Sequence, residues 1–365
     1  MQKNKTMASQ IISGILKFLA VVIPALVVIA IIIPSLLSVI KGKDIPPVDD
    51  SKLQLQVINM PDEENAFYDL DKTRDLINTK SVPKGKQLVS DYLKSDEWDQ
   101  EVVKQLLVDN EDVLQYFTAA AVKGKFQLPD ADNQAKISSE MPVIPLNNWR
   151  EASRLSGVKA IWLAKNGQNK EALDEAFKSI IIGNAIENSQ GLLITHLVGI
   201  AIKDNGLDIL QKVISIIPKN SPVLLEYGLK LENYRAMGNS APFITEYLVS
   251  KQAWDDLDKS NNQFGTVSKI LLKNKFYFKK NLTVSYYFDF YNKLSIEAEK
   301  DCSELKKVQE PTILLKENNL ITMYFTENAV GKYYVEIPEL ALNNVLEKKC
   351  ITENKLKETA LMIIR

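Results

Sequence analysis

The chain has 365 residues, long enough to bury a sizeable apolar core without help from a metal or a disulfide. Glycine and proline number 14 each and a quarter of the residues are charged, which excludes collagen-like and low-complexity classes. The formal net charge of −1 gives the whole chain no electrostatic reason to hold nucleic acid.

Phe18 to Ile40 contains no charged residue. At a rise of about 1.5 Å per residue, a helix of this length crosses a hydrocarbon core about 30 Å thick. Lys17 closes one end and Lys41 and Lys43 the other, where long cationic side chains reach headgroups. Pro24 and Pro34 are tolerated in a membrane helix. The rival is a cleavable signal peptide, which calls for a shorter apolar region of about 7–15 residues and an A-x-A-like site. Ser35 to Ile40 offers no such site, and no cysteine follows that would take a lipid. The expectation is a cytoplasmic tail over 1–17, a transmembrane helix over 18–40 with membrane lipid as its partner, and a polar linker over 41–60. Lys3, Lys5 and Lys17 precede the span with no acid among them, which favours a body outside the cytoplasm. Residues 1–43 hold five lysines and no acid, leaving 40 basic against 46 acidic groups behind them. A body of that balance has no nucleic acid as partner.

Pro61-Asp62-Glu63-Glu64 reads as a helix start, with proline and carboxylates in the first turn. Ala66, Phe67, Leu70, Leu76 and Ile77 supply its apolar face. A second long helix is expected over Asp99 to Lys123, where Val102, Val103, Leu106, Leu107, Val113, Leu114 and Phe117 follow the 3.6 period. Together these make an N-terminal helical subdomain over 61–123. Residues 124–145, with Gly124, Pro129, Pro142 and Pro145, read as a loop or boundary.

A helical-hairpin domain is expected over 146–310. Leu146 to Ala164 and Asn169 to Ile186 read as two helices with Asn166-Gly167 as the stop. Ala160, Leu163, Ala164, Gly167, Ala172, Ala176 and Phe177 look like half of a tetratricopeptide-type hairpin, in which small residues let helices approach closely. Gln190 to Lys203 and Gly206 to Ile217 repeat the idea with Asn205-Gly206 as turn. The spacing from Gly167 to Gly206 departs from the period of about 34 in a true tetratricopeptide array, so the hairpins are degenerate. Helices follow over Pro222 to Met237, Pro242 to Leu257 and Asn281 to Leu305. In the last, Leu282, Tyr286, Phe290 and Leu294, with Tyr287 and Tyr291 beside them, form a stripe of the kind that packs in a core. For 311–365 the expectation is a helical segment, with a hairpin of Leu320 to Phe325 and Lys332 to Ile337 as the alternative.

Gly191 to Ile202, Asn328 to Lys332 and Thr359 to Arg365 resemble segments of uncharacterised bacterial proteins that are membrane-anchored and mostly helical. The resemblance implies an anchored helical body and a chain that continues past the last helix. It implies no activity.

Chemistry is thinly represented. His196 is the single histidine, which excludes a multi-histidine metal site, and its apolar setting reads as a buried core position. No G-x-S-x-G, P-loop or G-x-G-x-x-G occurs, so no catalytic, metal-binding or cofactor-binding residue is assigned. Glu187-Asn-Ser-Gln-Gly-Leu192 is superficially similar to elements of lytic transglycosylases, but their order and spacing are wrong. Lys273, Lys275, Lys279 and Lys280 interleave with Phe276, Tyr277 and Phe278, a pattern that grips an anionic surface or else solvates lysines over buried rings. Cys302 and Cys350 are the only cysteines. They pair in an oxidising compartment or stay separate thiols, and no CxxC points to redox or zinc chemistry.

The reading is all-α: an N-terminal transmembrane helix and a degenerate, solenoid-like body of helical hairpins. Such stacks expose long surfaces suited to polypeptide. The expected role is therefore a non-enzymatic, extracytoplasmic scaffold at the cell envelope with a protein partner and no cofactor. The rival readings are an envelope glycan-cleaving hydrolase with an unrecognised acidic residue, and an anchored holdase chaperone.

Overall fold

In the computed structural model of the chain, the uncharged run of 18–40 lies inside one 40-residue helix, α1 (Gln2–Lys41), with Pro24 and Pro34 in its interior. The structure describes residues 2–56, 58–78, 93, 98–129, 144–235, 238–257, 272–308, 326–336 and 339–364; the side chains of 2–11, 26–31, 333–336 and 339–341 lie outside that description. Ile12, Phe18, Val21, Ile23, Ile32, Leu36, Val39 and Ile40 are exposed along α1. They fall on opposite sides of the helix, so no single stripe faces a core. Among the described residues, no helix is long and apolar enough to cross a membrane.

Residues 41–60, expected as a spacer, are held down at several points. Leu53 and Leu55 are buried. The Asp50 carboxylate accepts a hydrogen bond from the Tyr247 hydroxyl at 2.8 Å and pairs with Lys251 at 2.5 Å. The helix expected from Pro61 onward is a 3-10 turn (Asp62–Glu64) and a short α2 (Phe67–Asp71). Between them, Asn65 turns its side chain to the backbone of Gln127, donating to the carbonyl at 2.7 Å and accepting from the amide at 3.0 Å. A side chain committed to a distant backbone competes with continuous helix.

The same residue type splits the helix expected over 99–123 into α3 (Gln100–Asp109) and α4 (Glu111–Lys123). Buried Asn110 donates to the Leu106 and Asn78 carbonyls and accepts from the Asn78 amide. Asp99 caps α3 by accepting from the Glu101 and Val102 amides, and Gly124, at φ +61°, ends α4 in the left-handed region. Of the expected loop over 124–145, residues 130–143 lie outside the described residues.

Helices α5 (Leu146–Lys165) and α6 (Asn169–Glu187) form the hairpin read from the sequence, with Gly167 at φ +77° in the turn. The second hairpin does not exist: α7 (Leu193–Ile216) runs unbroken through Asn205-Gly206. Gly206 is there for contact. A Cβ on it would stand 2.9 Å from the Ile180 nitrogen; one on Gly199, 2.6 Å from the Glu187 nitrogen; one on Gly183, 2.4 Å from the Lys203 nitrogen. Three glycines thus let the backbones of α6 and α7 nearly touch. After α7 come α8 (Val223–Leu231), a 3-10 turn (Glu232–Tyr234), α9 (Ala241–Leu257) and α10 (Lys280–Ala298). On α10 the buried apolar positions are Val284, Tyr287, Phe290, Tyr291, Leu294 and Ala298, so Tyr287, Phe290, Tyr291 and Leu294 of the expected stripe are core while Leu282 and Tyr286 are half-buried. The segment from 311 is helical where described, as α11 (Ala329–Glu336) and α12 (Glu339–Ile364), so Lys332 lies in helix and not in a strand. Residues 320–325 lie outside the described residues. The described residues are all-helical, with no strand among them.

The chain divides into two compact units. One is Met1–Asp49, Asp256–Asp289 and Glu310–Glu339; its small core joins Phe276, Tyr277 and Ala329, with Leu37 and Val330 against them. The other is Asp50–Asp255, Phe290–Gln309 and Leu340–Arg365. Its core runs from Ala66 through Phe117, Trp149, Phe177 and Leu210 to Leu356, Ala360 and Ile363 of α12. Trp149 meets Phe126 and Phe67 edge-to-face, with centroids 5.4 and 6.1 Å apart.

Adding a methyl group at the α6–α7 contact forces two backbones apart. Gly199→Ala is expected to cost about 1–3 kcal/mol, as overpacked cores do, whereas Gly14→Ala, with nothing within 4 Å of the added Cβ, carries no such cost and gains up to about 1 kcal/mol of helix propensity. Thermal unfolding of both variants checks this.

Candidate functional site

The lysine-aromatic run singled out in the sequence lies against the end of α1, and its parts separate. Phe276, Tyr277 and Phe278 are buried. The turn that carries them is set by Asn274, whose side-chain oxygen accepts from the Phe276 amide at 2.9 Å. Asn274 Nδ2 reaches the Pro34 carbonyl oxygen at 3.5 Å, and a Cβ on Gly42 would lie 3.2 Å from the Lys275 Cβ. The turn therefore follows the last two turns of α1.

Lys279 is corrected as a surface cation. It is 5% exposed, donates to the Lys43 carbonyl at 2.9 Å and pairs with Glu327 at 2.5 Å. Lys280 is half-buried at the start of α10. Lys273 and Lys275 remain exposed, as do Lys41 and Lys43. The Asp44 carboxylate, from the segment after α1, accepts from the Asn281 and Leu282 amides at 2.8 and 3.1 Å. It thereby caps the positive N-terminus of α10 from a remote part of the chain. Asn328 completes the arrangement. Buried, at φ +54°, it accepts from the Lys279 amide at 2.8 Å and meets the Thr283 hydroxyl.

The other unit holds a closed polar centre, of which the sequence announced only the buried His196. Lys203 and Glu187 pair at 3.0 Å with side chains 1% and 2% exposed, and Lys203 also donates to Asn184 Oδ1 at 3.0 Å. His196 Nδ1 lies 2.7 Å from the Glu187 carbonyl, and Asn239 Nδ2 donates to the same oxygen at 2.8 Å. Burial pushes the His196 imidazole below its ordinary range, against the opposing pull of Glu187. Nearby Lys349 is buried, donates to the Ala298 carbonyl at 3.1 Å, and is likewise pushed down by burial. The Glu187 carboxylate, compared above with that of a glycan-cleaving enzyme, is thus sealed and ion-paired, with no access for substrate.

Open surface in this unit is apolar or mixed. A groove of about 650 Å³ between α3, α4 and α5 is lined by Leu107, Val108, Leu114 and Trp162 with Lys104, Glu111 and Lys159 among its edges. Leu225 and Leu229 of α8 stand exposed, beside the end of α12 where Ile364 is also exposed. Cys302 and Cys350 form a disulfide, with Cα atoms 5.4 Å apart, that ties the turn after α10 to α12. No group of three or more His, Cys, Asp or Glu side chains able to hold a metal occurs among the described residues.

No family model matches the chain, and no curated protein or solved structure matches it.

The His196 geometry gives a pH test. Its folded pKa lies below the unfolded value, so the unfolded chain takes up the proton first. Its contribution to stability is complete above about pH 6.5 and is lost as pH falls from there toward the folded value. Chemical unfolding between pH 7.5 and 5.5 should show the wild type losing more stability than His196→Gln, by up to about 1.4 kcal/mol over that range; equal losses would remove the sealed neutral imidazole.

Proposed function

We propose that α1 is a retained membrane anchor and that the helical body behind it is a non-enzymatic scaffold for a protein partner on the outer side of the membrane. The observation that carries the reading is the exposure of apolar side chains on opposite sides of α1. Val21 is 71% exposed and Ile23, on the opposite face, 54% exposed. An all-round apolar helix belongs in lipid or inside a larger core. The sequence from Phe18 to Ile40 supplies the length in one uncharged stretch.

Three observations support the rest. A disulfide between the only two cysteines fits an oxidising compartment. Lysines without acids precede the span, as in an N-inside orientation. The segments 191–202, 328–332 and 359–365 resemble anchored helical bacterial proteins. For the scaffold role, the support is the mixed groove beside Trp162 and the exposed Leu225, Leu229 and Ile364, apolar surface of the kind that marks contact sites.

In its native membranes the full chain is expected to resist extraction by alkaline carbonate, and to migrate faster on a gel before reduction than after. Release of the intact chain by carbonate would end the anchor reading. A photo-crosslinker placed at 225 or 229 of the full chain is expected to yield one discrete protein adduct, and the same probe at Lys219 none. Adducts absent at all three positions would refute the scaffold.

A further inference from the structure

We infer that Lys41, Lys43, Lys273 and Lys275 form a cationic collar at the end of the membrane helix that binds anionic lipid headgroups. This rests on the anchor reading of α1 and adds a partner of stated chemistry at a stated depth.

The collar follows from how the turn over 273–277 meets α1. Asn274 touches the Pro34 carbonyl and Lys275 abuts Gly42, so the turn spans the last two turns of the helix. Leu37 packs against Phe276 and Tyr277 on that side. On the other side of the same turns Leu36, Val39 and Ile40 are bare. Helix covered by polar backbone on one face and apolar on the other belongs at the water boundary, not at the bilayer centre. The boundary therefore falls between Pro34 and Lys43, and the lipid-embedded stretch begins about two turns earlier than Phe18, near Ile12, whose side chain is exposed. Lys17 then sits just inside the far boundary, where its stem lets the ammonium reach headgroups.

The four lysines cluster at that boundary without compensation. Lys41 and Lys43 flank Gly42, against which Lys275 is packed, and Lys273 lies two residues away. The carboxylates that belong to this region are already engaged, Asp44 by the amides opening α10 and Glu327 by Lys279. Among the described residues none of the four makes an ion pair. Uncompensated lysines beside bare aliphatic surface suit a phosphate-bearing lipid, with the stems on the acyl boundary and the ammoniums on the headgroup. Each lysine near an anionic surface raises local binding roughly fivefold.

The test is the full chain reconstituted in phosphatidylcholine vesicles containing a minority of spin-labelled phosphatidylglycerol. The motionally restricted fraction reports lipid held at the protein. Enrichment of phosphatidylglycerol over spin-labelled phosphatidylcholine is expected, weakening with salt. It should fall at least fivefold in the quadruple variant Lys41→Gln, Lys43→Gln, Lys273→Gln, Lys275→Gln, and by an intermediate factor in Lys273→Gln with Lys275→Gln. Lys104→Gln with Lys219→Gln should leave it unchanged. Because the double variant touches only exposed side chains, it keeps the test sharp should the quadruple variant misfold. Equal restriction of the two lipids, or enrichment that survives both variants, overturns the collar while co-flotation of protein with vesicles leaves the anchor standing. Protein that fails to co-float overturns both.

Discussion

Apolar side chains exposed on opposite faces of α1, between Ile12 and Ile23 and between Ile32 and Ile40, set the strongest physical constraint on this chain. A side chain such as Val39, 86% exposed, loses roughly 1.5–3 kcal/mol relative to burial, and α1 repeats that deficit at Ile12, Phe18, Val21, Ile23 and Ile32. Among the described residues no helix covers these side chains. The local fold manages only the last two turns, where Phe276, Tyr277 and Leu37 close a small core and Asn274 reaches Pro34. Under the proposed anchoring, lipid would remove the remainder at no cost in unsatisfied backbone, since a helix bonds its own amides and carbonyls.

The α1 end is also where polar groups from remote parts of the chain converge. Asp44 caps α10, Lys279 closes on Lys43 and Glu327, and Asn328 holds the Lys279 amide and Thr283. These bonds fix the exit of the helix and use up the local carboxylates, leaving lysines in excess. The larger unit solves a separate problem. Its glycines bring α6 and α7 into backbone contact, and at that contact Lys203 pairs with Glu187 and donates to Asn184. A buried pair of this kind contributes little net stability beside apolar isosteres, and breaking it by removing one partner costs about 3–5 kcal/mol. It acts as a register pin for the two helices.

How much of this was readable in the sequence depended on the range of the interaction. The α5–α6 hairpin was legible because Asn166-Gly167 stops a helix by local geometry, with Gly167 at φ +77°. Gly206 carries the same letter but a different role, and only the approach of Ile180 to within 2.9 Å of its missing Cβ explains it. Asn65 and Asn110 broke two expected helices by reaching backbone 62 and 32 residues away, distances to which periodicity is blind. Of the candidate site, the basic-aromatic run was visible and its rings were read as core in the alternative. What composition did not separate was Lys279, buried and paired, from Lys273 and Lys275, exposed. That distinction is made by Glu327 and the Lys43 carbonyl.

The depth of α1 in a bilayer tests the central claim most directly. Single nitroxide labels at 21, 23, 32, 36, 39 and 43 of the full chain in vesicles report collision with oxygen, which concentrates in lipid, against a water-soluble nickel chelate. Labels at 21, 23 and 32 should meet oxygen and exclude the chelate, with the crossover between 36 and 43. Equal access of the chelate to every position along the helix would mean that α1 lies in water, and the account would fail.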